Sequence, residues 1–103
     1  MSETNILIAI HDAIALTGKC LLWRNNTGQH GRVRFGLGVG GADLVGLVRP
    51  SGRWFALEVK TPSGRLSKAQ KNWAAAVTAA GGFVACVRSV DEALTALEEA
   101  IQQ

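Results

Sequence analysis

The sequence predicts an α/β domain in which a central mixed β-sheet is flanked by helices. Two neighbouring segments, residues 42–48 and 53–60, have the composition of strands that are apolar on both faces, as is typical of strands buried in the middle of a sheet. Segments with helical spacing of apolar residues precede and follow them. The chain has 103 residues, of which 48% are hydrophobic and 18% charged, and this suits one globular domain over residues 1–103.

The predicted elements follow the order α-β-(β)-β-β-α-β-α. The first helix is expected over residues 3–17, where apolar residues recur at helical spacing before Gly18. Residues 20–23 read as a short buried strand. The Gly-rich and polar stretch 25–41 is expected to form a long loop, with room for one short strand around residues 32–35.

The turn at residues 49–52 sets the register of the central hairpin. Its sequence has Pro at the second position and Gly at the fourth, which favours a type I turn. A four-residue turn pairs Val48 with Arg53 and therefore places Asp43 directly opposite Glu58. Side chains opposed in this way have Cβ atoms about 4.5–5.5 Å apart on the same face of the sheet.

The second half of the chain predicts a helix, a strand and a helix. Residues 67–70 match a capping box that opens an Ala-rich helix, and Gly81-Gly82 ends it. Residues 83–87 read as another buried strand. Residues 89–92 match a second capping box, which opens the last helix.

Charge is distributed unevenly along the chain. Residues 1–88 hold all eleven Lys and Arg against four acids, whereas residues 89–103 hold four acids and no basic residue. A basic body is compatible with a nucleic-acid partner, although this signal is weak on its own. No apolar run approaches the roughly 20 residues needed to cross a bilayer. The N-terminus does not read as a signal peptide, so we expect a cytoplasmic protein with no membrane partner.

Asp43 and Glu58 carry the functional prediction. Two carboxylates this close in apolar strands repel each other, and a divalent cation removes the conflict. Hard oxygen ligands suit Mg²⁺ or Mn²⁺, and the backbone carbonyl of Val59 is a further candidate ligand. Lys60 points the same way as Glu58 because strands alternate with a period of two. Its ammonium could orient or deprotonate an attacking water, or stabilise charge on a phosphate; the alternative is that it only neutralises the two acids in a buried ionic cluster.

The two cysteines and two of the tryptophans are expected to serve the core. Cys20 and Cys86 lie in apolar runs, which favours buried hydrophobic residues over a disulfide or metal ligands. Trp54 and Trp73 are predicted core residues, and the sequence leaves the position of Trp23 open. Sequence alone does not single out any of the three tryptophans as a base-stacking residue.

These residues belong to a wider pattern that resembles the VRR-NUC domain. The pattern consists of Arg24-Asn25-Asn26-Thr27-Gly28, Gly40-Gly41-Ala42-Asp43-Leu44, Leu57-Glu58-Val59-Lys60 and Gly64-Arg65-Leu66-Ser67-x-x-Gln70. This domain is a branch of the PD-(D/E)XK nuclease superfamily that is found alone in phage-type proteins and also inside the Fanconi-associated nuclease. The resemblance covers nearly the whole chain. The sequence departs from the superfamily's name in that Ala42, not Pro, precedes Asp43.

The resemblance implies a restriction-endonuclease-like αβββαβ core and a Mg²⁺- or Mn²⁺-dependent phosphodiesterase that acts on DNA. It implies Asp43 and Glu58 as metal ligands and Lys60 as the catalytic lysine. It also implies that Gln70 lies near the active site and that Glu3 can complete the metal site. The alternatives are that Gln70 only closes the capping box and that Glu3 only favours the helix N-terminus electrostatically.

Further polar residues around this site are candidate DNA contacts, with simple solvation as the alternative. They are Arg24, Asn25, Arg32, Arg34, Lys68 and Lys71.

The leading functional hypothesis is a structure-selective endonuclease for branched DNA, such as a four-way junction. One small domain holds one active site, so symmetric resolution of a junction would require a homodimer. The alternatives are a nicking or restriction-like nuclease on duplex DNA, and a non-catalytic DNA-binding module with a nuclease fold. A phage or prophage origin, in a bacterial host cell, fits the resemblance.

Overall fold

A computed structural model describes residues 2–26 and 28–103 of the chain, apart from the side chain of Phe35. Thr27, which belongs to the first sequence motif, lies outside the described residues. The helices and strands of this part of the chain are α1 (Glu3–Thr17), β1 (Cys20–Arg24), β2 (Gly28–His30), β3 (Val33–Phe35), β4 (Leu44–Val48), β5 (Trp54–Val59), α2 (Lys68–Ala79), β6 (Phe83–Val87) and α3 (Val90–Gln102).

Four of the strands form a mixed sheet in the order β1-β4-β5-β6. β1, β4 and β5 are antiparallel neighbours, and β6 runs parallel to β5. Helices α1 and α3 cover one face, and α2 covers part of the other. The predicted α/β class, with a central mixed sheet between helices, is therefore confirmed.

The main core lies between the sheet and helices α1 and α3. Its largest fully buried side chains are Phe55, Ile10, Ile14, Leu44, Leu57, Leu97, Val59 and Val87. A smaller cluster on the opposite face consists of Ala42, Val45 and Ala56, and the partly buried Trp54 and Trp73 pack against it. The core positions predicted for these two tryptophans are confirmed, and they show which face of the sheet α2 covers.

The register of the central hairpin agrees with the sequence prediction. Leu47 pairs with Trp54 and Gly46 pairs with Phe55. The close approach of β1, on the other side of β4, also requires a glycine at position 46, because a Cβ atom there would overlap the backbone carbonyl of Leu21. The offset between β4 and β5 is therefore the one that brings Asp43 level with Glu58.

The turn that joins β4 to β5 differs from the prediction of a type I turn. The Arg49-Pro50 peptide bond is cis, and the Gly52 amide donates to the Val48 carbonyl at 2.8 Å. A type I turn would instead bond Gly52 to Arg49. The Val48 amide donates to the Arg53 carbonyl at 2.9 Å, so the hairpin closes on the predicted pair and the register is unaffected.

The long loop contains two strands where the sequence suggested at most one. β2 and β3 form an antiparallel pair of their own, separate from the main sheet. The sequence pattern could not reveal β2 because Gly28, Gln29 and His30 supply no large apolar side chain.

The two predicted capping boxes have different outcomes. At α2 both reciprocal bonds between Ser67 and Gln70 are present. At α3 the Ser89 side chain accepts from the Glu92 amide, but the Glu92 carboxylate accepts from the Arg88 amide at 3.3 Å. The second capping box is therefore only half formed.

Two further findings concern the cysteines and the membrane. Both cysteines are free; Cys20 is buried and Cys86 is half-buried. Over residues 2–26 and 28–103, none of the helices combines the length and apolar character that a bilayer span requires.

Candidate active site

Asp43 and Glu58 lie together where β4 begins and β5 ends. The Val59 amide donates to Asp43 Oδ2 at 2.8 Å, which ties the aspartate side chain to β5 one residue beyond Glu58. From the other side, the Asn25 amide donates to the Asp43 carbonyl at 2.8 Å. When Glu58 carries a proton, its carboxyl group hydrogen-bonds to Asp43. The structure thus brings together the two acids that the predicted register placed face to face.

Glu58 is the most unusual acid in the described part of the chain, since only 6% of its surface is exposed. Burial raises its pKa from 4.5 to about 8, and the hydrogen bond and the charge of Asp43 add to this shift. The Lys60 charge lowers the pKa of Glu58, whereas the Glu3 charge raises it. A cation beside the pair would favour the ionised form and so oppose the shift.

Gln70 connects this pair of acids to helix α2. Its Nε2 donates to Glu58 Oε1 at 3.1 Å, and its Oε1 accepts from the Ser67 amide at 2.8 Å. The Gln70 amide completes the capping box by donating to Ser67 Oγ at 3.1 Å. The two interpretations offered for Gln70 are therefore both correct in geometry: it caps the helix and it contacts a site carboxylate.

Lys60 lies beside the acids without pairing to them. Its backbone amide donates to the Val87 carbonyl at 3.0 Å. Within residues 2–26 and 28–103, the ion pairs are His11–Asp12 and Lys19–Glu98, so no carboxylate lies within 4.0 Å of the Lys60 ammonium. The structure does not contain the buried ionic cluster that was the alternative role for this lysine.

Gly64 leaves room for the stem of Lys60. A Cβ atom at Gly64 would lie 3.3 Å from the Lys60 Cβ atom. A larger residue at this position would therefore press on the lysine, which gives a physical reason for a glycine in the motif that follows β5.

The loop before β4 is packed onto α2. Gly40 has a φ of +82°, and a Cβ atom there would overlap the backbone carbonyl of Ala69 in the first turn of α2. Trp73 Nε1, further along α2, donates to the Leu37 carbonyl at 3.1 Å. These contacts fix the loop that leads into Asp43 relative to the helix that carries Gln70.

A cavity of about 150 Å³ lies beside Glu58, where strands β5 and β6 face α2. Glu58, Gln70, Trp73 and Cys86 line it together with apolar residues. The apolar lining explains why burial is the largest cause of the raised pKa of Glu58.

Glu3 and Val59 are the predicted metal ligands for which the structure gives least support. In the described part of the chain, no three His, Cys, Asp or Glu side chains are grouped closely enough to hold a metal ion. Glu3 therefore does not join Asp43 and Glu58 as a third carboxylate, although its charge contributes to the raised pKa of Glu58. A ligand role for Glu3, or for the Val59 carbonyl, stays a prediction.

Five of the six candidate DNA contacts are exposed to solvent. They are Arg24 at the end of β1, Arg32 and Arg34 on the β2-β3 hairpin, and Lys68 and Lys71 on α2. The sixth is half-buried and has a structural contact.

Asn25 is that sixth residue, and sequence reasoning missed its structural contact. Its Nδ2 donates to the Ala42 carbonyl at 3.0 Å, next to the bond from its amide to Asp43. The side chain of Asn25 therefore helps to position the segment that carries Asp43. The signal available in the sequence was its place in a motif with a Gly-rich loop, which does not distinguish a DNA contact from a structural one.

Comparison with protein-family models matches the chain to the VRR-NUC domain over residues 2–91. This match spans Asp43, Glu58, Lys60 and Gln70. No curated protein sequence matches the chain significantly. The four-stranded mixed sheet with three helices in the described residues is consistent with a restriction-endonuclease-like fold, and the family indicates a nuclease-type function in DNA processing. The chain belongs to the VRR-NUC domain family.

Proposed function

We propose that this protein is a divalent-metal-dependent DNA endonuclease with its active site at Asp43, Glu58 and Lys60. One observation carries the proposal: a buried glutamate is held against an aspartate, with an unpaired lysine beside both. Burial and the adjacent Asp43 raise the pKa of Glu58 to about 8. A strongly perturbed pKa next to a specific charged partner is typical of a functional site.

The residues present fit a Mg²⁺ or Mn²⁺ ion. Mg²⁺ commonly uses one or two carboxylates from the protein and fills its other positions with water and substrate phosphates. Asp43 and Glu58 supply two such carboxylates, and the Val59 carbonyl is the further oxygen proposed from the sequence. When bound, the ion supplies Lewis acidity toward the phosphate and lowers the pKa of a water molecule.

The chain's own residues supply orientation and charge. Hydrolysis adds water to a phosphodiester, so that one P–O ester bond breaks and the departing oxygen takes a proton. Lys60 places a positive charge beside the carboxylates, where it can hold a phosphate oxygen and stabilise the charge that develops on it. Gln70 holds one oxygen of Glu58 and leaves the rest of that carboxylate for ligand binding.

Charge around the site supports DNA as the substrate. Two stretches, 13–42 and 59–90, frame Asp43 and Glu58 in the sequence; they contain no acid and hold nine of the eleven Lys and Arg residues, of which Lys19 is paired with Glu98 on α3. Such a frame attracts phosphates through the release of counterions. Within this frame, Arg32 and Arg34 lie exposed on a hairpin that is not part of the main sheet.

Within this activity we propose a preference for branched DNA, with the protein acting as a homodimer at a symmetric junction. The family assignment and the one buried carboxylate pair found in the described residues support this proposal. Two copies would be needed to cut two strands related by symmetry.

A panel of labelled DNAs tests the proposal. Equal concentrations of a four-way junction, a flap and a linear duplex would be incubated with Mg²⁺, with Mn²⁺ or with EDTA. We expect cleavage in both metals, none in EDTA, and faster cutting of the junction than of the duplex. Equal cutting of duplex and junction would refute the branched-DNA preference, and no cutting of any DNA would refute the nuclease assignment.

A further inference from the structure

The part of the sheet that α2 leaves uncovered carries an exposed tryptophan. β1 is an edge strand, and its residues alternate between the two faces of the sheet. Cys20 and Leu22 are buried in the main core. Leu21 and Trp23 point the other way and are 39% and 53% exposed. Leu21 lies opposite the half-buried Leu47, so these side chains form a small apolar surface, which we call the β1 face.

The register places Trp23 on the same side of the sheet as the carboxylates. Trp23 pairs with Val45, and Val45 belongs to the small cluster under α2. The Glu58 side chain faces the same side of the sheet, where it lines a cavity together with Gln70. Val45 follows Asp43 by two residues, so Trp23 is displaced from Asp43 by about 7 Å along the strands and one strand spacing of about 5 Å across them.

The segment of the sequence that carries Trp23 is basic. Between Asp12 and Asp43 the sequence has four Lys and Arg residues and no acid. Arg24 follows Trp23 directly and is exposed, but it lies on the opposite face of β1, beside Leu7 and Asp12 of α1. A basic segment is compatible with a phosphate backbone, and the exposed indole of Trp23, on the carboxylate side of the sheet, offers a flat surface on which a nucleobase can stack.

We propose that Trp23 stacks on an unpaired base of the DNA substrate. The inference rests on the proposed nuclease function and deepens it by naming the substrate feature that the β1 face recognises. A base inside a continuous duplex has both faces covered by its neighbours. A base at a branch point or in a flap exposes one face, so stacking on Trp23 selects such DNA near the cutting site.

Binding measurements test this without relying on cleavage. The full chain and its variants Trp23→Ala and Trp23→Phe would be titrated into a fluorescent flap with unpaired bases and into a fully paired duplex, in Ca²⁺ and in EDTA. Base–aromatic stacking is worth about 5- to 150-fold in affinity. We expect Trp23→Ala to weaken flap binding by that factor and duplex binding by less than about twofold, and Trp23→Phe to retain most of the flap affinity.

Leu16→Ala serves as the matched control, because Leu16 on α1 is 88% exposed and the proposal gives it no role. This variant should bind both DNAs as the wild type does. Circular dichroism of each variant would establish that it is folded.

Three results would overturn the proposal. The first is equal flap binding by the wild type and a folded Trp23→Ala in both buffers, and the second is an equal loss on flap and duplex. The third is a Trp23→Ala variant that turns a dimer into a monomer in sedimentation velocity, since a second copy would then occupy the β1 face. If flap binding depends on Trp23 but the wild type cuts no DNA in Mg²⁺ or Mn²⁺, this inference stands and the proposed nuclease activity fails.

Discussion

Gln70 Nε2 and Glu58 Oε1 are joined by a 3.1 Å hydrogen bond that links helix α2 to strand β5. The other end of the same amide closes the capping box with Ser67. The amide orientation follows from these two partners, because the oxygen accepts from a backbone amide and only the nitrogen can donate to a carboxylate. The first turn of α2 and the carboxylate pair are therefore coupled through one side chain.

Replacement of Gln70 by Glu separates its two roles. Glu is as suitable as Gln at this position of a capping box, so we expect the melting temperature of Gln70→Glu to stay within a few degrees of the wild type. The variant loses the donor to Glu58 and adds a negative charge beside two acids. A lost hydrogen bond to a charged group is worth roughly 1.5–3 kcal/mol, so we expect the initial rate of DNA cleavage to fall about 10- to 100-fold.

Gln70→Ala is the companion variant, since it removes both contacts. It should lose about 0.5–2 kcal/mol of unfolding free energy, as other capping changes do, together with the cleavage rate. Wild-type cleavage by a stably folded Gln70→Glu would show that Gln70 serves only as a cap.

Metal affinity should depend on pH through Glu58. In the metal-free protein burial, followed by the hydrogen bond and the charge of Asp43, raises the pKa of Glu58 to about 8. A proton must then leave before the carboxylate can bind a cation. We expect the affinity for Mn²⁺, measured by calorimetry, to increase by up to about tenfold per pH unit between about pH 6 and about pH 8 and to level off above that.

The stability of the metal-free protein should change in the opposite direction. The folded-state pKa of Glu58 is about 8 and its ordinary value is 4.5, so its contribution to stability is complete below that ordinary value and is lost as the pH rises to about 8. Mn²⁺ should consequently raise the melting temperature more at about pH 8 than at about pH 6. A Mn²⁺ affinity that is constant across this range would contradict a protonated Glu58.

Gly40 and Gly38 provide a matched pair for the packing of the loop on α2. Both have positive φ values, +82° and +86°, but an added Cβ atom would overlap the Ala69 carbonyl at Gly40 and would meet nothing within 4 Å at Gly38. At either position, forcing Ala into a positive φ costs about 1–2 kcal/mol, so this cost cancels when the two variants are compared. We expect Gly40→Ala to lose about 1–3 kcal/mol more unfolding free energy than Gly38→Ala, measured by chemical denaturation.

The same pair should differ in activity. The loop at Gly40 leads directly into Asp43, so Gly40→Ala should also cut DNA more slowly than Gly38→Ala. Equal stability and equal cleavage in the two variants would show that the contact between Gly40 and Ala69 does not hold the site in place.

The sequence predicted the sheet well because residue counting and alternation both constrain it. The number of residues between Val48 and Arg53 fixed the register, and a turn of another type with the same count preserves it. The predicted proximity of Asp43 and Glu58 is therefore correct although the predicted turn type is wrong.

Features that depend on contacts between distant segments could not be predicted in this way. No alternation of apolar residues in the sequence indicates that β2 pairs with β3. The roles of Asn25 and Gln70 depend on how the loop before β4 packs on α2. The alternation along β1 places Trp23 and Leu22 on opposite faces, but which face stays uncovered depends on where α2 lies. The resemblance of the sequence to the VRR-NUC pattern was needed to narrow the predicted chemistry from that of any divalent-metal site to DNA cleavage.

Cleavage by single-residue variants tests whether Asp43 and Lys60 belong to the active site. Junction DNA with Mg²⁺ or Mn²⁺ would be cut by the wild type, by Asp43→Asn and Lys60→Ala, and by the controls Asp12→Asn and Lys19→Ala, which replace an acid and a lysine outside the site. We expect Asp43→Asn and Lys60→Ala to lose about 100-fold or more in rate, with both controls within about twofold of the wild type. Cleavage by folded Asp43→Asn and Lys60→Ala at the wild-type rate would contradict an active site at Asp43 and Lys60.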